Sequence, residues 1–215
     1  MAILVFFEKV GPLEVITYLV VCGDTGEALV LDPGGPAPAL SARLAQEGWK
    51  VRWIVNTHGH ADHIAGNELW ATQTGAPVVM HHLDAEFFQR PDLQAAARAE
   101  GFPPLTRVDL PVSDGHLLPL GRHQAKFIHT PGHTPGACCL YLPGHLFTGD
   151  TLFVEAAGRT DLPGGSLDQL IQSLQHKIMP LPDDTRVWPG HDYGGQASSL
   201  LGQEKLHNPF LTDFF

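Results

Sequence analysis

The chain has 215 residues, of which 43% are hydrophobic and 17% are charged, and its formal net charge at pH 7 is −10. This composition is typical of a compact globular protein and excludes a disordered chain. The acidic balance, without any basic run, argues against a nucleic-acid partner, and no apolar stretch of about 18 residues predicts a membrane span.

The first half of the chain alternates between short β-branched runs and helical patterns. The predicted strands are Leu4–Phe7, Ile16–Val21, Ala28–Leu31, Trp53–Asn56 and Val78–Met80. The predicted helices are Pro38–Glu47 and Gly66–Thr74. The stretch His82–Arg107 has weak periodicity, and we expect it to be a partly helical insertion near a functional site.

The second half continues the same alternation of strands and helices. Its predicted strands are Ala125–His129, Ala137–Leu142, Leu146–Thr148 and Arg186–Trp188. Its predicted helices are Leu167–Lys177, with Ser166 as the N-cap, and Ser199–Leu206. No linker rich in proline, glycine or serine divides the chain. We therefore expect residues 1–215 to form a single α/β domain, with helices covering sheets.

The cysteines and the first residues give an expectation of cellular location. Cys22, Cys138 and Cys139 cannot form a closed set of disulfides, so we expect them to be small buried residues in a reducing compartment. The opening segment, residues 1–11, is too short and wrongly charged for a secretory signal peptide. Together these features predict a cytoplasmic protein.

The segment THGHADHI, at residues 57–64, concentrates metal-binding residue types. His58, His60, Asp62 and His63 have the spacing H-x-H-x-D-H. The segment follows the predicted strand Trp53–Asn56, so we expect all four side chains to lie on a loop at the end of that strand.

Three later segments each combine a short strand with a turn that carries one further ligand type. They are TPGHTPG with His133, LFTGDTLF with Asp150, and VWPGHDYG with His191. A glycine precedes each of these residues and permits a sharp turn or a close backbone approach. Seven nitrogen and oxygen ligands exceed the needs of one tetrahedral ion and fit two ions that share a carboxylate. Imidazole and carboxylate ligands suit zinc, iron or manganese, and two such ions can supply a hydroxide nucleophile.

With these motifs, the sequence resembles the metallo-β-lactamase superfamily over nearly its whole length. The resemblance implies an αββα four-layer sandwich, with two divalent transition metals at one edge of the facing sheets and zinc favoured over iron and manganese. It also implies a ligand set: His58, His60 and His133 for the first metal, Asp62, His63 and His191 for the second, and Asp150 as the bridge. True β-lactamases usually lack this bridging aspartate, and many of them have cysteine in its place.

Two branches of the superfamily match the remaining motifs. VLDPGG at residues 30–35, GFPP at 101–104 and TGDTLF at 148–153 are similar to short bacterial glyoxalase II enzymes. HDY at 191–193, followed by EKLHNP at 204–209, is similar to persulfide dioxygenases, which use a single iron. We expect a thioesterase that hydrolyses S-D-lactoylglutathione or a related acyl-thiol. The alternatives are a persulfide dioxygenase and another hydrolase of the superfamily; a binding-only module is disfavoured because all seven ligands are present.

The resemblance also implies roles for residues around the metals. Asp62 and Asp150 are the expected catalytic residues, and Asp62 also orients the proton of the nucleophile. Arg159 and Tyr193 are candidates for contact with a glutathione-linked small-molecule substrate. Their alternative roles are an ion pair of Arg159 with Asp161 and local packing of the Tyr193 ring.

Two further expectations concern the surroundings of the site. We expect Asp32 to orient a metal ligand or to close its turn rather than to bind metal. Larger glyoxalases bind glutathione with a helical C-terminal domain, which we do not expect in this chain of 215 residues.

Overall fold

A computed structural model describes residues 2–193 and 195–214. Two six-stranded sheets pack face to face, and a separate two-stranded hairpin lies beside the second sheet. Helices pack on the outer faces of both sheets. The expected αββα sandwich is therefore confirmed.

The first sheet has the strand order β1-β2-β3-β4-β5-β6. Its strands are β1 (Ile3–Val10), β2 (Val15–Cys22), β3 (Glu27–Leu31), β4 (Lys50–Val55), β5 (Val78–His81) and β6 (Leu110–Val112). The pairs β1–β2 and β2–β3 are antiparallel, whereas β3, β4, β5 and β6 are parallel to one another. The carboxyl ends of these four parallel strands therefore meet at one edge of the sheet.

The second sheet has the order β14-β13-β10-β9-β8-β7. Its strands are β7 (Leu117–Leu120), β8 (His123–His129), β9 (Cys138–Leu142), β10 (His145–Gly149), β13 (Arg186–Pro189) and β14 (Ser199–Leu200), and the hairpin is β11 (Leu152–Phe153) with β12 (Ala156–Ala157). Strands β8 and β10 are both antiparallel to β9, and β13 is parallel to β10. The carboxyl ends of β8, β10 and β13 therefore share one edge.

Eight helices connect or follow the strands in the described part of the chain. They are α1 (Pro38–Glu47), α2 (Ala61–Ile64), α3 (Asn67–Thr74), α4 (His82–Phe87), α5 (Pro91–Ala99), α6 (Leu167–Ser173, continued by a π-helical turn at Leu174–Ile178), α7 (Leu201–His207) and α8 (Pro209–Thr212). Among the described residues, no helix combines the length and apolar character needed to cross a bilayer.

Strand β2 shows how the layers are packed, because all eight of its residues are buried. Alternate side chains of a strand point to opposite faces. Tyr18 and Val20 accordingly lie in the core between the sheets, whereas Leu19 and Val21 pack on the helical side. Trp70 of α3 belongs to that outer core and is almost fully buried.

Several elements differ from the expectations. The sequence patterns missed β6 and β7, which contain Pro111 and Pro119 and are the edge strands of their sheets, where proline is tolerated. The helix expected from Ser199 was wrong at its start. Ser199 pairs with Val187 in β14, and α7 begins at Leu201. The three cysteines are buried and unpaired, as expected.

Candidate metal centre

The first sheet contributes four of the seven predicted ligand residues. His58 and His60 lie in the loop after β4, and this part of the prediction is confirmed. Asp62 and His63 were also expected on the loop but lie in the one-turn helix α2. The turn of α2 directs both side chains toward the same edge.

The second sheet contributes the other three predicted residues: His133 follows β8, Asp150 follows β10, and His191 follows β13. Gly149 precedes Asp150 and Gly190 precedes His191, and the two glycines are needed for different reasons. Gly149 has a φ of 49°, in the left-handed region. A Cβ on Gly190 would lie only 2.3 Å from Oδ1 of Asp150. All seven predicted residues therefore meet where the edges of the two sheets face each other.

Within this cluster, three groups of side chains each have ligand atoms within 4.8 Å of one another. The first group is His58, His60 and His133, and the second is Asp62, His63 and His191. Nδ1 of His60 lies 2.9 Å from Nε2 of His133, and Nε2 of His63 lies 3.2 Å from Nε2 of His191. Two nitrogens on one tetrahedral zinc lie about 3.4 Å apart, so both spacings are close to those of metal ligands.

Asp150 lies between the two groups and belongs to the third, with His58 and His63. Its Oδ1 is 3.4 Å from Nε2 of His63, and its Oδ2 is 3.6 Å from Nε2 of His133. Oδ1 of Asp150 and Nε2 of His58 are buried without a hydrogen-bond partner. Buried polar atoms are rarely left unpaired, so these two atoms fit a site that takes a cation.

Four of the five imidazoles are held through Nδ1 by a protein oxygen. The oxygens are Thr57 Oγ1 for His58 (3.1 Å), Asp32 Oδ2 for His63 (3.0 Å), the Arg159 carbonyl for His133 (2.7 Å) and the Leu13 carbonyl for His191 (3.1 Å). A neutral histidine that donates through Nδ1 presents a lone pair at Nε2. Nε2 is therefore the atom that these imidazoles would offer to a metal ion, in His63 after the ion displaces the proton on that nitrogen.

The charges of the site favour a cation at the same place. Burial alone lowers the pKa of His63, but the carboxylates of Asp62, Asp150 and Asp32 raise it to about 10. Burial raises the pKa of Asp62, but His63 and His191 hold it well below its usual range. In the metal-free protein a proton on His63 therefore balances the carboxylates. A bound metal ion would take over that role.

Asp32 has the orienting position that the sequence predicted. Its carboxylate accepts hydrogen bonds from the Thr57 backbone N–H and the Thr57 hydroxyl, both at 2.7 Å, and it also binds Nδ1 of His63. The residue has a φ of 47°, which is uncommon outside glycine and is tolerated best by aspartate and asparagine. Asp32 thus positions the loop and one imidazole without facing the centre.

Asp84 is a residue of the site that the sequence reasoning missed. Its fully buried carboxylate accepts hydrogen bonds from Gly59 N at 2.9 Å, Thr134 Oγ1 at 2.7 Å and Gly136 N at 2.5 Å. Burial raises the pKa of Asp84 to about 6, although these hydrogen bonds oppose the shift. Asp84 joins the loop of His58 and His60 to the loop of His133, and no motif marks it within the weakly periodic insertion.

We expect Asp84→Ala to loosen both loops and to weaken metal binding. Three buried donors would lose their acceptor, at about 1–3 kcal/mol each when left unsatisfied. The melting temperature of the metal-free protein should therefore fall, and zinc affinity should fall about 10–100-fold. Differential scanning calorimetry and a zinc titration against a chromophoric chelator measure the two effects. Asp92→Ala, which removes an exposed carboxylate paired with Arg90, is the control. Equal behaviour of the two variants would contradict this role.

Arg159 and Tyr193 lie at the rim of the centre. The Arg159 guanidinium is exposed and makes two 2.7 Å contacts with the Asp161 carboxylate. The Tyr193 ring stacks on His191 with 5.0 Å between centroids and meets Phe153 edge-on at 5.1 Å. The alternative contacts considered for the two residues, an ion pair and ring packing, are thus present. Their contact with substrate stays a prediction.

A comparison with protein-family models matches residues 10–191 to the metallo-beta-lactamase superfamily. The chain is 36% identical over 182 residues to the hydroxyacylglutathione hydrolase of Polaromonas sp., with 82% of this chain and 61% of that protein covered. It is 34% identical over 200 residues to the mitochondrial persulfide dioxygenase of Homo sapiens, with 91% and 71% covered. The chain therefore spans less than two thirds of the Polaromonas protein.

Two solved structures match over nearly their full length. The BLEG-1 B3 metallo-beta-lactamase is 34% identical, with a TM-score of 0.86 and with 97% of this chain and 100% of that chain covered. TTHA1623 in a di-iron-bound form is also 34% identical, with a TM-score of 0.80 and with 96% and 100% covered. Relatives at similar identity thus carry different activity names, and identity alone does not choose among them.

Proposed function

The chain belongs to the metallo-beta-lactamase superfamily, and we propose that it is a binuclear thioesterase of the glyoxalase II type. The observation that carries the proposal is the second three-residue group, Asp62, His63 and His191, beside the first. A second group of this kind offers a place for a second metal ion. The expected substrate is S-D-lactoylglutathione or a related acyl-thiol, as the name of the Polaromonas relative suggests.

We assign His58, His60 and His133 to one metal and Asp62, His63 and His191 to the other. Asp150, whose two oxygens face both groups, would be the ligand shared by the two metals. Imidazole and carboxylate ligands suit zinc, iron and manganese alike. Zinc is our first choice, and the di-iron form of TTHA1623 supports iron as the alternative.

When bound, the divalent ions would polarise the thioester carbonyl and lower the pKa of water enough for attack at neutral pH. The residues of the chain hold the reactants in place. The Asp62 carboxylate stays ionised and can accept a hydrogen bond that orients the proton of the nucleophile. Asp32 and Asp84 keep the ligand loops fixed. A thiolate leaves readily, so the reaction needs no strong general acid.

A persulfide dioxygenase is the second candidate. Its support is that the site also contains groups of two histidines and one carboxylate, such as His58, His63 and Asp150. This ligand combination is typical of non-haem iron oxygenases. The human relative carries that activity name. The dioxygenase needs one iron, whereas the thioesterase needs both ligand groups filled.

The proposal is tested by the release of free thiol from S-D-lactoylglutathione. Metal-stripped protein should be inactive, and activity should increase with zinc or iron until about two ions per chain are bound. Full activity at one ion per chain would overturn the binuclear proposal. No thiol release at any loading, from S-D-lactoylglutathione or from another acyl-thiol, would overturn the thioesterase proposal.

Arg159→Gln should reveal whether this cation binds the thiol carrier. If Arg159 binds a carboxylate of glutathione, the loss of its guanidinium should raise KM about tenfold for glutathione thioesters and leave kcat nearly unchanged. An uncharged thioester with the same acyl group should be unaffected. Steady-state kinetics on the two thioesters checks this.

Asp161→Asn is the matched control, because it breaks the same ion pair but keeps the cation. The pair is exposed, so neither variant should change the melting temperature much. Equal losses on both thioesters, together with a lower melting temperature, would remove Arg159 from the substrate site.

A further inference from the structure

An apolar cavity of about 140 Å³ lies directly beside the metal centre. Its wall toward the centre is formed by Gly59, His60 and Ala61. The other walls come mainly from the insertion and from the loop after Asp161, and their apolar side chains include Ile64, Phe88, Leu93, Ala97, Leu105 and Leu162. The cavity therefore shares a metal-binding histidine with the site already described.

Helix α5 leaves this space open. None of its residues is buried, and Leu93 and Ala97, four residues apart on one face, line the cavity and are only half-buried. The Gln94 side chain donates a hydrogen bond to the Leu105 carbonyl at 3.3 Å and ties the helix to the opposite wall. An apolar face that the protein itself does not cover gains from an apolar guest.

Phe88 forms the end of the cavity nearest to the ligands. Its ring meets the ring of His60 edge-on, with 5.3 Å between centroids. A Cβ on Gly59 would lie 2.2 Å from this ring, so the glycine permits the close packing. A group placed in the cavity would therefore rest against Phe88 within reach of the metal centre.

The chemistry of the walls selects the part of the substrate that fits. Among the described residues that line the cavity, Glu100 is the one with a formal charge at pH 7. A carboxylate-bearing carrier such as glutathione would meet apolar walls and a like charge there. An apolar cavity of about 150 Å³ is known to hold a benzene-sized guest. In size and polarity the cavity therefore fits an apolar acyl group and does not fit the thiol carrier.

We propose that this cavity binds the acyl group of the thioester. The preferred substrates then carry an apolar acyl group of about four to six carbons, or a phenyl group, rather than a small hydroxyacyl group. This specificity rests on the proposed thioesterase function. It leaves the thiol carrier outside the cavity, where Arg159 and Tyr193 are the candidate contacts.

The test compares thioesters of one thiol that differ only in the acyl group: lactoyl, acetyl, butanoyl, hexanoyl and benzoyl. Burial of each added methylene can raise kcat/KM up to about fourfold. We expect hexanoyl to exceed acetyl at least about tenfold. Ala97→Phe should fill the cavity and abolish the advantage of hexanoyl over acetyl. Ala95→Phe, on the exposed opposite face of α5, should keep the preference for the hexanoyl thioester.

A binding measurement keeps the outcome independent of turnover. The hexyl thioether of the same thiol should bind the wild-type and Ala95→Phe proteins more tightly than the methyl thioether, by calorimetry, and this difference should vanish in Ala97→Phe. Equal binding of both thioethers, or an equal effect of the two phenylalanine variants, would overturn the acyl cavity even if lactoyl thioesters are hydrolysed. Selective hexyl binding without hydrolysis of any thioester would instead overturn the thioesterase.

Discussion

Asp150→Ala should lower the bound metal from about two ions per chain to one or fewer and reduce kcat at least about a thousandfold. The reason is the position of its carboxylate. Oδ1 and Oδ2 lie 3.4 Å and 3.6 Å from histidine nitrogens of the two different ligand groups. No other residue among the seven is assigned to both metals, so its loss disturbs both. Elemental analysis and steady-state kinetics on the same preparation measure the effect.

His207→Ala is the control for this substitution. His207 lies at the exposed end of α7, away from the ligand cluster. The control should retain full metal content and full activity. Normal metal content and turnover in Asp150→Ala would show that the assignment of the bridging ligand is wrong.

Removal of the metals should lower the melting temperature by about 10–30 °C. A ligand present at about 1,000 times its Kd stabilises the folded state by about 4 kcal/mol per site. For a chain of this size, each kcal/mol shifts the melting temperature by about 2–4 °C. Calorimetry before and after chelation, followed by the addition of zinc, measures the change. A melting temperature that is unaffected by chelation would contradict a buried metal centre.

The stability of the metal-free protein should also depend on pH. In the metal-free fold the nearby carboxylates raise the pKa of His63 to about 10 from its ordinary value of 6.5. Its contribution to stability is therefore fully present below pH 6.5 and is lost as the pH rises through 10. The melting temperature of metal-free protein should fall between these values. A metal-free His63→Gln protein should lack this part of the slope, and identical slopes in the two proteins would contradict the shift.

The layer architecture could be predicted because the strong elements have strong local patterns. Strand β2 is rich in β-branched and apolar residues, and α1 has the predicted bounds, Pro38–Glu47. The edge strands β6 and β7 could not be found, because each is short and contains a proline. The start of α7 was misplaced because pairing with β13 extends Ser199 and Leu200. That residues 1–215 form a single domain stays a prediction.

The ligand cluster was visible in the sequence because its residue types and spacings are unusual. The seven side chains do meet at one edge of the two sheets. Their supporting contacts were mostly invisible, because they depend on the approach of segments that are distant in the chain. The Asp84 carboxylate accepts hydrogen bonds from the backbone N–H groups of Gly59 and Gly136, and the Arg159 carbonyl accepts one from His133. The assignment of each ligand to a particular metal stays a proposal.

The measurement that tests the central claim most directly is a paired assay of one iron-loaded preparation. Thiol release is followed with S-D-lactoylglutathione and S-hexanoylglutathione, and oxygen uptake is followed with glutathione persulfide. A binuclear thioesterase predicts thiol release from at least one thioester and no oxygen uptake with the persulfide. Oxygen uptake with the persulfide, without thiol release from either thioester, would contradict the proposed function and assign the site to the dioxygenase.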